Sequence, residues 1–463
     1  MELFGCISTL PHGQKSIDLI AVDPKTLPKL QSLSASQKNW LSQQNFTADI
    51  GSFVVLPDDS GNISTVLFGW SLQASIWQFA SIVQALPVAI YQLQSQIGQL
   101  DVAALAKIWG LCCYEFTRYR LARKKTPSLL ISNLTKKSQF SLNILLNATY
   151  QVRNWINTPA EDFGPMDLSD ICHALAKRHQ AHIEEVVGDD LKQQNYPLIH
   201  LVGRASNRPP RMICLRWGNP EDPLIALVGK GVCFDTGGIQ VKPHNAMQSM
   251  KKDMGGAAHM IALSEMIMAS KLPVSIALWI AACDNSVSAS SFLPGDVYKA
   301  RNGMSVEIGH TDAEGRLILA DLLSACSQDN PQCIIDYATL TGAQRVALGM
   351  DIPSVFSNNT PLSESLCSIS QEKHDWIWPL PLYEPYKKQL DSDIADICST
   401  GKTPYGGSII AALFLQHFIS DNIDWLHIDG SAYNETARPG RDKGGEAMGL
   451  ETLFSFVQQH FCA

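Results

Sequence analysis

Long apolar runs are missing from this chain of 463 residues. No segment approaches the roughly 20 consecutive apolar residues that span a bilayer, and residues 1–5 lack the basic start and apolar run of a signal peptide. The 12 cysteines show no paired spacing, which is typical of reduced thiols rather than of a disulfide framework. We therefore expect a cytoplasmic protein without a membrane partner.

Positive charge is also scarce. The formal net charge is -8 and the sequence pI is about 5.8, so the field of the whole molecule repels phosphate backbones. The basic clusters at 123–125, 136–137 and 251–252 are short and scattered, and we expect the first two to be solvated surface. No nucleic-acid partner is expected.

The length and the apolar content indicate a chain of more than one domain. At roughly 150 residues per domain, the chain allows two or three, and its 45% of hydrophobic residues is enough for packed cores. Residues 126–140 are rich in Ser, Thr and Lys, which favours a boundary there. We predict a smaller N-terminal α/β domain over residues 1–140 and a larger C-terminal α/β/α domain over residues 141–463, joined by a helix at about 142–156.

Local patterns predict the elements of both domains. In the first, apolar runs at 53–56 and 65–68 flank turn-forming residues and predict a hairpin, and residues 101–119 have helical periodicity. In the second, apolar runs alternate with helical stretches; the runs are at 224–228, 274–280 and 333–335, and the helical stretches at 247–269, 314–327 and 406–420. Buried strands that alternate with helices predict a mixed, largely parallel central sheet.

The first of three polar clusters, residues 229–238, follows the apolar run at 224–228 and contains Lys230 and Asp235. The carboxyl ends of strands are where α/β folds bind ligands, and glycines there allow the backbone to approach a ligand closely. A phosphate loop does not fit, because Leu224 stands where its first glycine would be and Gly231 follows Lys230 in place of Ser or Thr. The cluster is a candidate site of another kind.

The second and third clusters each have a simple structural interpretation. At 250–258, Asp253 stands among small residues, as in a helix with a charged start. At 309–321, Thr311 and Glu314 have the spacing of a capping box before an amphipathic helix. That interpretation leaves Asp312 unexplained, and Gly315 weakens the helix by about 1 kcal/mol relative to alanine.

Together the clusters supply four carboxylates, those of Asp235, Asp253, Asp312 and Glu314. Gathered in one pocket, they would repel one another by several kcal/mol. Two divalent cations would balance the four negative charges, and oxygen ligands suit Zn or Mn. The sequence has no His-Glu-x-x-His pair, the usual plan of a single-zinc protease.

The clusters resemble the signature of the leucyl aminopeptidase family, the cytosolic two-metal aminopeptidases. Residues 310–321 match the family's Asn-Thr-Asp-Ala-Glu-Gly-Arg-Leu motif at every position but the first, where His310 stands. The resemblance extends through 157–160, 336–343 and 407–409 and covers about 150–450. It implies that residues 141–463 form a catalytic metallopeptidase domain.

Carried over position by position, the resemblance implies a set of metal ligands, namely Lys230, Asp235, Asp253, Asp312 and Glu314. Lysine must be neutral to donate a lone pair, and two adjacent dications would lower its pKa. The resemblance further implies that activated water attacks the scissile carbonyl, that Lys242 stabilises the charge that develops on its oxygen, and that Arg316 anchors a bicarbonate ion as general base.

The implied substrates are short peptides with an apolar N-terminal residue such as leucine or methionine, and the implied assembly is a homohexamer. The residues that match the family's substrate pocket are Met250, Thr339, Leu340 and Gly342. The chain departs from the family pattern at His310, Thr236 and Gln240 and over 427–433; we expect His310 to be a hydrogen-bonded substitute for Asn. A nonenzymatic DNA-binding or scaffold role and a two-metal phosphoesterase remain alternatives.

Overall fold

The computed structural model describes residues 6–8, 16–71, 73–122, 126–131 and 134–462. The predictions on residues 1–5 and on the basic cluster at 123–125 therefore lie outside the described residues. The chain divides into two compact units, the first of Met1–Asn147 with Thr436–Lys443 and the second of Ala148–Glu435 with Gly444–Ala463. Among the helices of the described ranges, none has the length and apolarity that crossing a membrane requires.

The first unit contains a six-stranded sheet. Its strands are β1 Ile7–Ser8, β2 Ile17–Val22, β3 Phe53–Pro57, β4 Ile63–Gly69, β5 Ile90–Ser95 and β6 Ser128–Leu130. They follow the order β1-β6-β5-β2-β4-β3, and every neighbouring pair is parallel except β3 with β4. The antiparallel pair is the predicted hairpin, and its turn is held by Asp58, whose Oδ1 accepts hydrogen bonds from the backbone N–H groups of Ser60 and Asn62.

Three helices pack on this sheet: α1 Ala35–Gln43, α2 Gln78–Ala85 and α3 Val102–Cys112. The side chain of Asp101 caps α3, but the prediction that the helix continues to Tyr119 is wrong. Residues 113–119 include several aromatic and β-branched side chains, which favour helix less than the Ala and Leu of the preceding turns.

Helix α4, Lys136–Asn157, begins six residues before the predicted start. The Oγ1 of Thr135 accepts a hydrogen bond from the backbone N–H of Ser138 at 3.1 Å, so the polar stretch that indicates a boundary also supplies the helix start. The division between residues 140 and 141 falls inside this helix and stays a proposal. Lys136 and Lys137, in its first turn, are exposed.

The second unit is built on an eight-stranded mixed sheet. Its strands are β7 His182–Val187, β8 Arg211–Trp217, β9 Leu224–Asp235, β10 Ser275–Asn285, β13 Cys333–Ala338, β14 Ser354–Ser357, β15 Trp378–Pro379 and β17 Asp424–Asp429. The order is β15-β14-β17-β13-β9-β10-β8-β7, with the four central strands β17, β13, β9 and β10 parallel to one another. Two small sheets complete the unit: β11 Val297–Lys299, β12 Ser305–Glu307 and β16 Ile397–Cys398, and β18 Tyr433–Asn434 with β19 Gly444–Gly445.

Ten helices of the second unit are described: α5 Pro165–His179, α6 Asp190–Gln193, α7 Pro197–Gly203, α8 His244–Met247, α9 Gly255–Ser270, α10 Glu314–Ser327, α11 Gly342–Leu348, α12 Thr360–Lys373, α13 Gly407–Gln416 and α14 Leu450–Phe461. Helix α10 has the predicted bounds. Helix α13 is shorter than predicted, and α9 starts later, after α8 and a 3-10 turn at Met250–Lys252.

Strand β9 corrects the prediction of a strand that stops at 228, because it continues through Asp235 and contains Lys230. Helix α9 crosses β9 at Gly229, where only glycine fits. A Cβ at this position would lie 2.7 Å from the Cα of Ala257. A Cβ on Gly256, on the facing helix, would lie 2.0 Å from the carbonyl oxygen of Tyr337. The helix therefore packs directly on the sheet backbone.

Candidate active site

Lys230 projects from the centre of β9 into a buried group of acids. Its Nζ lies 2.8 Å from Oδ2 of Asp253 and 2.9 Å from Oε1 of Glu314, and it donates a hydrogen bond to the carbonyl oxygen of Thr339 at 3.0 Å. Asp253 precedes helix α9 and Glu314 opens helix α10. Residues from three separate segments thus meet around one side chain.

Lys242 belongs to the loop that follows β9. Its Nζ lies 2.7 Å from Oδ2 of Asp235 and forms an ion pair with Asp312. The loop turns back through Gly237, whose φ of +89° is in the left-handed region that favours glycine. A side chain at Gly237 would also meet the carbonyl oxygen of Gln240 at 2.7 Å.

The acids of this cluster are suited to a cation. Asp235, Asp312 and Glu314 each offer a carboxylate oxygen, and these three oxygens lie within 4.8 Å of one another. The Oε2 atom of Glu314 is buried without a hydrogen-bond partner, which is costly unless a cation contacts it. Carboxylate oxygens are ligands for Mn and, together with nitrogen, for Zn.

Burial and the short distances between charged groups shift the pKa values of the cluster residues. Burial, and then the charge of Asp235, raise the pKa of Glu314 to about 8, and the same two causes raise the pKa of Asp312 to about 6. Burial alone would lower the pKa of Lys230, but the charges of Asp253 and Glu314 outweigh it and raise the pKa above the ordinary lysine value. A bound dication reverses these directions, since it favours carboxylates and neutral lysine.

The capping-box interpretation of Thr311 and Glu314 is wrong. The N-cap of α10 is Ala313, and the hydroxyl of Thr311 instead donates to the carbonyl oxygen of Gly237 at 2.6 Å and accepts from the backbone N–H of Gln240 at 3.1 Å. The side-chain oxygen of Gln240 accepts the backbone N–H of Thr311 in return. Gln240, one of the departures from the family pattern, therefore ties the loop of Lys242 to the loop of Asp312.

His310 accepts a backbone hydrogen bond of the kind that an asparagine side chain could accept at this position. Its Nδ1 accepts a hydrogen bond from the backbone N–H of Asp312 at 3.0 Å. Burial and the charge of Lys242 lower the pKa of His310, which favours the neutral ring that can accept this bond.

Arg316 lies one turn into α10 with a guanidinium that is only partly engaged. Its Nη1 donates to the carbonyl oxygen of Ser399 at 2.6 Å, whereas its buried Nε has no hydrogen-bond partner. Burial lowers the pKa of Arg316 to about 10, so the group is cationic at neutral pH. It can hold an anion.

One cavity of about 470 Å³ collects every site residue predicted from the sequence. They are Lys230, Asp235, Lys242, Met250, Asp253, Asp312, Glu314, Arg316, Thr339, Leu340 and Gly342. The hydroxyl of Thr339 donates to Oδ1 of Asp253 at 2.7 Å, which connects the pocket residues to the acidic cluster. This size is typical of small-ligand sites.

Four residues that support or line the cavity are missing from the sequence predictions. Asn285, at the end of β10, donates to Oδ1 of Asp235 at 2.9 Å, and Asp429, at the end of β17, accepts the backbone N–H of Leu340 at 2.9 Å. Their position as polar residues at strand ends was the available signal. The other two are cations in the cavity wall, Lys252 and Arg345.

Asp429, in the segment at 427–433, holds the loop that follows β13. Besides Leu340, it accepts hydrogen bonds from the backbone N–H of Thr341 and, at 2.6 Å, from its hydroxyl. The loop after β13 is thereby fixed where it borders the cavity, although the sequence at 427–433 differs from the one that is commoner in the family.

Two family models match the chain. The catalytic domain of the cytosol aminopeptidase family matches residues 150–454, and the N-terminal domain of M17 aminopeptidases matches residues 17–132. Peptidase B of Pectobacterium carotovorum is 40% identical over 339 residues, which are 70% of this chain and 77% of that protein. A probable cytosol aminopeptidase of Chlamydia abortus is 37% identical over 361 residues, 75% of this chain and 72% of the relative.

Solved structures agree with these matches over nearly the full length. The cytosol aminopeptidase of Coxiella burnetii superposes with a TM-score of 0.93 at 38% identity, covering 98% of this chain and 99% of its own. The bottromycin maturation enzyme BotP in complex with Mn superposes with a TM-score of 0.85 at 26% identity, covering 96% and 99%. With its acidic cavity and its two-domain, mostly parallel α/β fold, the chain belongs to the cytosol aminopeptidase family and is a metal-dependent aminopeptidase.

Proposed function

We propose that the chain is a two-metal aminopeptidase that removes apolar N-terminal residues, such as leucine or methionine, from short peptides. The observation that carries the proposal is the buried group of Asp235, Asp312 and Glu314, whose carboxylate oxygens lie within 4.8 Å of one another. Such a group gains stability from divalent cations, and it borders a cavity large enough for a short peptide.

The proposed ligands of the two ions are Lys230, Asp235, Asp253, Asp312 and Glu314. Mn and Zn both fit this set of oxygens and one nitrogen, and the structural relative BotP was solved with Mn. When bound, such ions supply Lewis acidity and lower the pKa of water at the site.

Lys242 and Arg316 are the proposed catalytic residues. Burial alone would lower the pKa of Lys242, but the charges of its acidic neighbours outweigh burial and raise it. The ammonium therefore stays protonated and stabilises negative charge on the oxygen of the scissile carbonyl. Arg316 keeps a buried Nε for an anion, and we propose bicarbonate, which would accept a proton from the attacking water.

The proposed side-chain pocket is formed by Met250, Thr339, Leu340 and Gly342. Met250 and Leu340 offer apolar surface, and Gly342 leaves room for a substrate side chain. The preference for leucine or methionine should be shallow, because one methylene changes discrimination by only about 1–3 kcal/mol.

Assembly as a homohexamer and a cytoplasmic location belong to the same proposal. The location is supported by the relatives' description as cytosol aminopeptidases and by the 12 free cysteines of the chain. Short peptides are the proposed partners, and no nucleic acid is expected at a net charge of -8.

A panel of aminoacyl amides tests the proposal. Leucine, methionine, arginine and glutamate amides are assayed with Mn, with Zn and with a chelator, beside N-acetyl-leucine amide. We expect metal-dependent cleavage of the free-amine substrates, fastest for leucine and methionine. Equal cleavage of the N-acetylated substrate, or phosphatase activity above peptidase activity, would contradict it.

A further inference from the structure

Lys252 is a buried residue in the wall of the cavity. The residue is 5% exposed and lines the cavity with the acidic cluster. Within the part of the chain that the structure describes, its side chain has neither an ion pair nor a hydrogen bond. A buried cation without a partner is unfavourable by several kcal/mol, so an anion that enters the cavity gains stability beside it.

The other lysines of the cavity are already engaged. Lys230 contacts Asp253 and Glu314 at 2.8 and 2.9 Å, and Lys242 contacts Asp235 at 2.7 Å. Lys252 is adjacent in sequence to Asp253, yet the carboxylate of Asp253 faces Lys230. Lys252 therefore lines the cavity with a charge that forms no ion pair among the described residues.

Arg345 adds a second positive charge to the lining of the cavity. It lies one turn into helix α11, is half-buried, and also lines the cavity. A Cβ on Gly342 would lie 3.3 Å from Nη2 of Arg345, so it is the absence of a side chain at Gly342 that leaves the guanidinium accessible. Among the described residues, Arg345 has no ion-pair partner.

Lys252 and Arg345 share the lining of this cavity with several acids. The four acids of the cluster also line it, but each forms an ion pair with Lys230 or Lys242. Among the described charged residues of the lining, this leaves Lys252 and Arg345 opposed by the exposed Glu435.

We propose that Lys252 and Arg345 form a carboxylate-binding subsite in the substrate cavity. The proposal rests on the proposed function, because it assumes that a peptide occupies this cavity. The carboxylate is either the side chain of an N-terminal glutamate or aspartate or the C-terminus of a dipeptide. Both present the same planar anion, which a guanidinium binds through two parallel hydrogen bonds and an ammonium binds as a point charge.

Two pairs of substrates that differ only in a carboxylate test the subsite. One pair is glutamyl and glutaminyl anilide, and the other is the dipeptide Leu-Leu and its C-terminal amide. For the native enzyme we expect kcat/KM to be about ten-fold or more higher for the acid in at least one pair. The pair that shows this difference identifies the source of the carboxylate.

In each pair, the ratio is that of kcat/KM for the acid to kcat/KM for its neutral counterpart. The variants Arg345→Gln and Lys252→Met should each lower this ratio toward one, mainly by raising KM for the acid. Glu435→Gln should increase the ratio. Lys251→Met is the matched control, because the ammonium of Lys251 donates to the carbonyl oxygen of Asn157 at 2.5 Å, and it should retain the native ratio. Arg345 is half-buried on a helix surface, so Arg345→Gln carries the test if Lys252→Met does not fold.

A native ratio near one in both pairs, or a ratio that survives both substitutions, overturns the subsite. Failure to cleave any of the four substrates instead contradicts the proposed function. In that case calorimetric binding of two pairs, glutamate with glutamine and Leu-Leu with its C-terminal amide, decides for the subsite. It requires tighter binding of the acid in at least one pair by the native protein and a smaller difference in Arg345→Gln. Equal binding overturns it.

Discussion

Lys230 and Lys242 have the same side chain but different surroundings. The side chain of Lys230 is 3% exposed and that of Lys242 is 13% exposed. Lys230 is enclosed by Asp253 and Glu314, whereas Lys242 lies on a loop at the edge of the cluster. This difference supports a ligand role for the first lysine and contact with the substrate for the second.

At the same scale, Glu314→Gln tests the acidic cluster. The amide keeps the shape of the side chain but removes a negative charge that the proposed ions require. We expect metal-dependent turnover to fall by more than about 100-fold, since even residues that only orient metal ligands alter affinity or activity by about 10–100-fold. Initial rates with leucine amide across a Mn titration measure the effect.

The control for this substitution is Glu372→Gln, an exposed acid at the end of helix α12. It should retain native rates and the native metal requirement. Retention of activity by Glu314→Gln at the same metal concentration would contradict the ligand role of Glu314.

His259 should make the fold sensitive to acid. Its Nδ1 donates to the carbonyl oxygen of Gly255 at 2.7 Å, its Nε2 accepts the backbone N–H of Met448 at 2.9 Å, and its ring stacks on Tyr337. Burial lowers the pKa of His259 from 6.5 to about 4. Because the folded-state pKa is the lower one, its contribution is complete above pH 6.5 and is lost as pH falls toward 4, by about 3 kcal/mol.

Urea unfolding of the native protein and of His259→Gln at several pH values measures this contribution. The difference in unfolding free energy between the two should shrink as the pH falls through this window. A difference that stays constant would contradict a neutral His259 in the fold.

The residues of the site were predicted to very different degrees. Asp235, Asp312 and Glu314 could be identified because each stands in a short polar segment after or before an apolar run. Asn285 and Asp429 act on those segments from strands that are distant in sequence, at separations of 50 and 89 residues. Single residues of this kind are identified only when the sheet order is known.

Among the elements, the crossing of α9 over β9 depends on glycine. In Gly256→Ala the added Cβ would lie 2.0 Å from the carbonyl oxygen of Tyr337, and the obstacle is backbone that cannot rotate away. We expect unfolding at lower denaturant, equivalent to about 3 kcal/mol or more, and weaker metal binding because Asp253 precedes the helix. Denaturation by urea and a Mn titration check the two effects, and native stability in both would contradict the close packing.

The packing of α9 on β9 also explains why the bounds of these two elements are hard to predict from the sequence. Helix α10 could be predicted at both ends because its apolar periodicity begins and ends with polar residues. The predicted end of strand β9 is too early because Gly229 and Lys230 have the local character of a turn. In the structure Gly229 admits Ala257 of α9, and Lys230 contacts the acidic cluster. Helix α9 was started too early because Met and Lys continue the helical pattern through the 3-10 turn.

At the scale of the whole molecule, metal binding should stabilise the second unit, which contains the cavity. A ligand that binds only the folded state adds about 3 kcal/mol at a hundredfold excess over its Kd. We therefore expect a chelator to lower, and Mn or Zn to restore, the melting temperature of one calorimetric transition. Glu314→Gln should respond less, and an equal response of this variant would contradict binding at the cluster.

The fold class was predictable for the whole molecule because alternating apolar runs and helical stretches require a layered α/β arrangement. The division into units is harder to predict from the sequence, because residues 436–443 belong to the first unit although they are far from the rest of it in sequence. No local pattern in that short segment distinguishes it from the loops around it.

The long separation between the residues that meet at Lys230 has a consequence for synthesis of the enzyme. The ammonium of Lys230 bonds to the carbonyl oxygen of Thr339, 109 positions further along the chain. The ribosome therefore has to release most of the second unit before the cavity can close, and contacts of such separation form slowly. The lining of the cavity extends along the chain as far as Glu435, so the complete cavity forms only after translation of the peptidase is nearly finished.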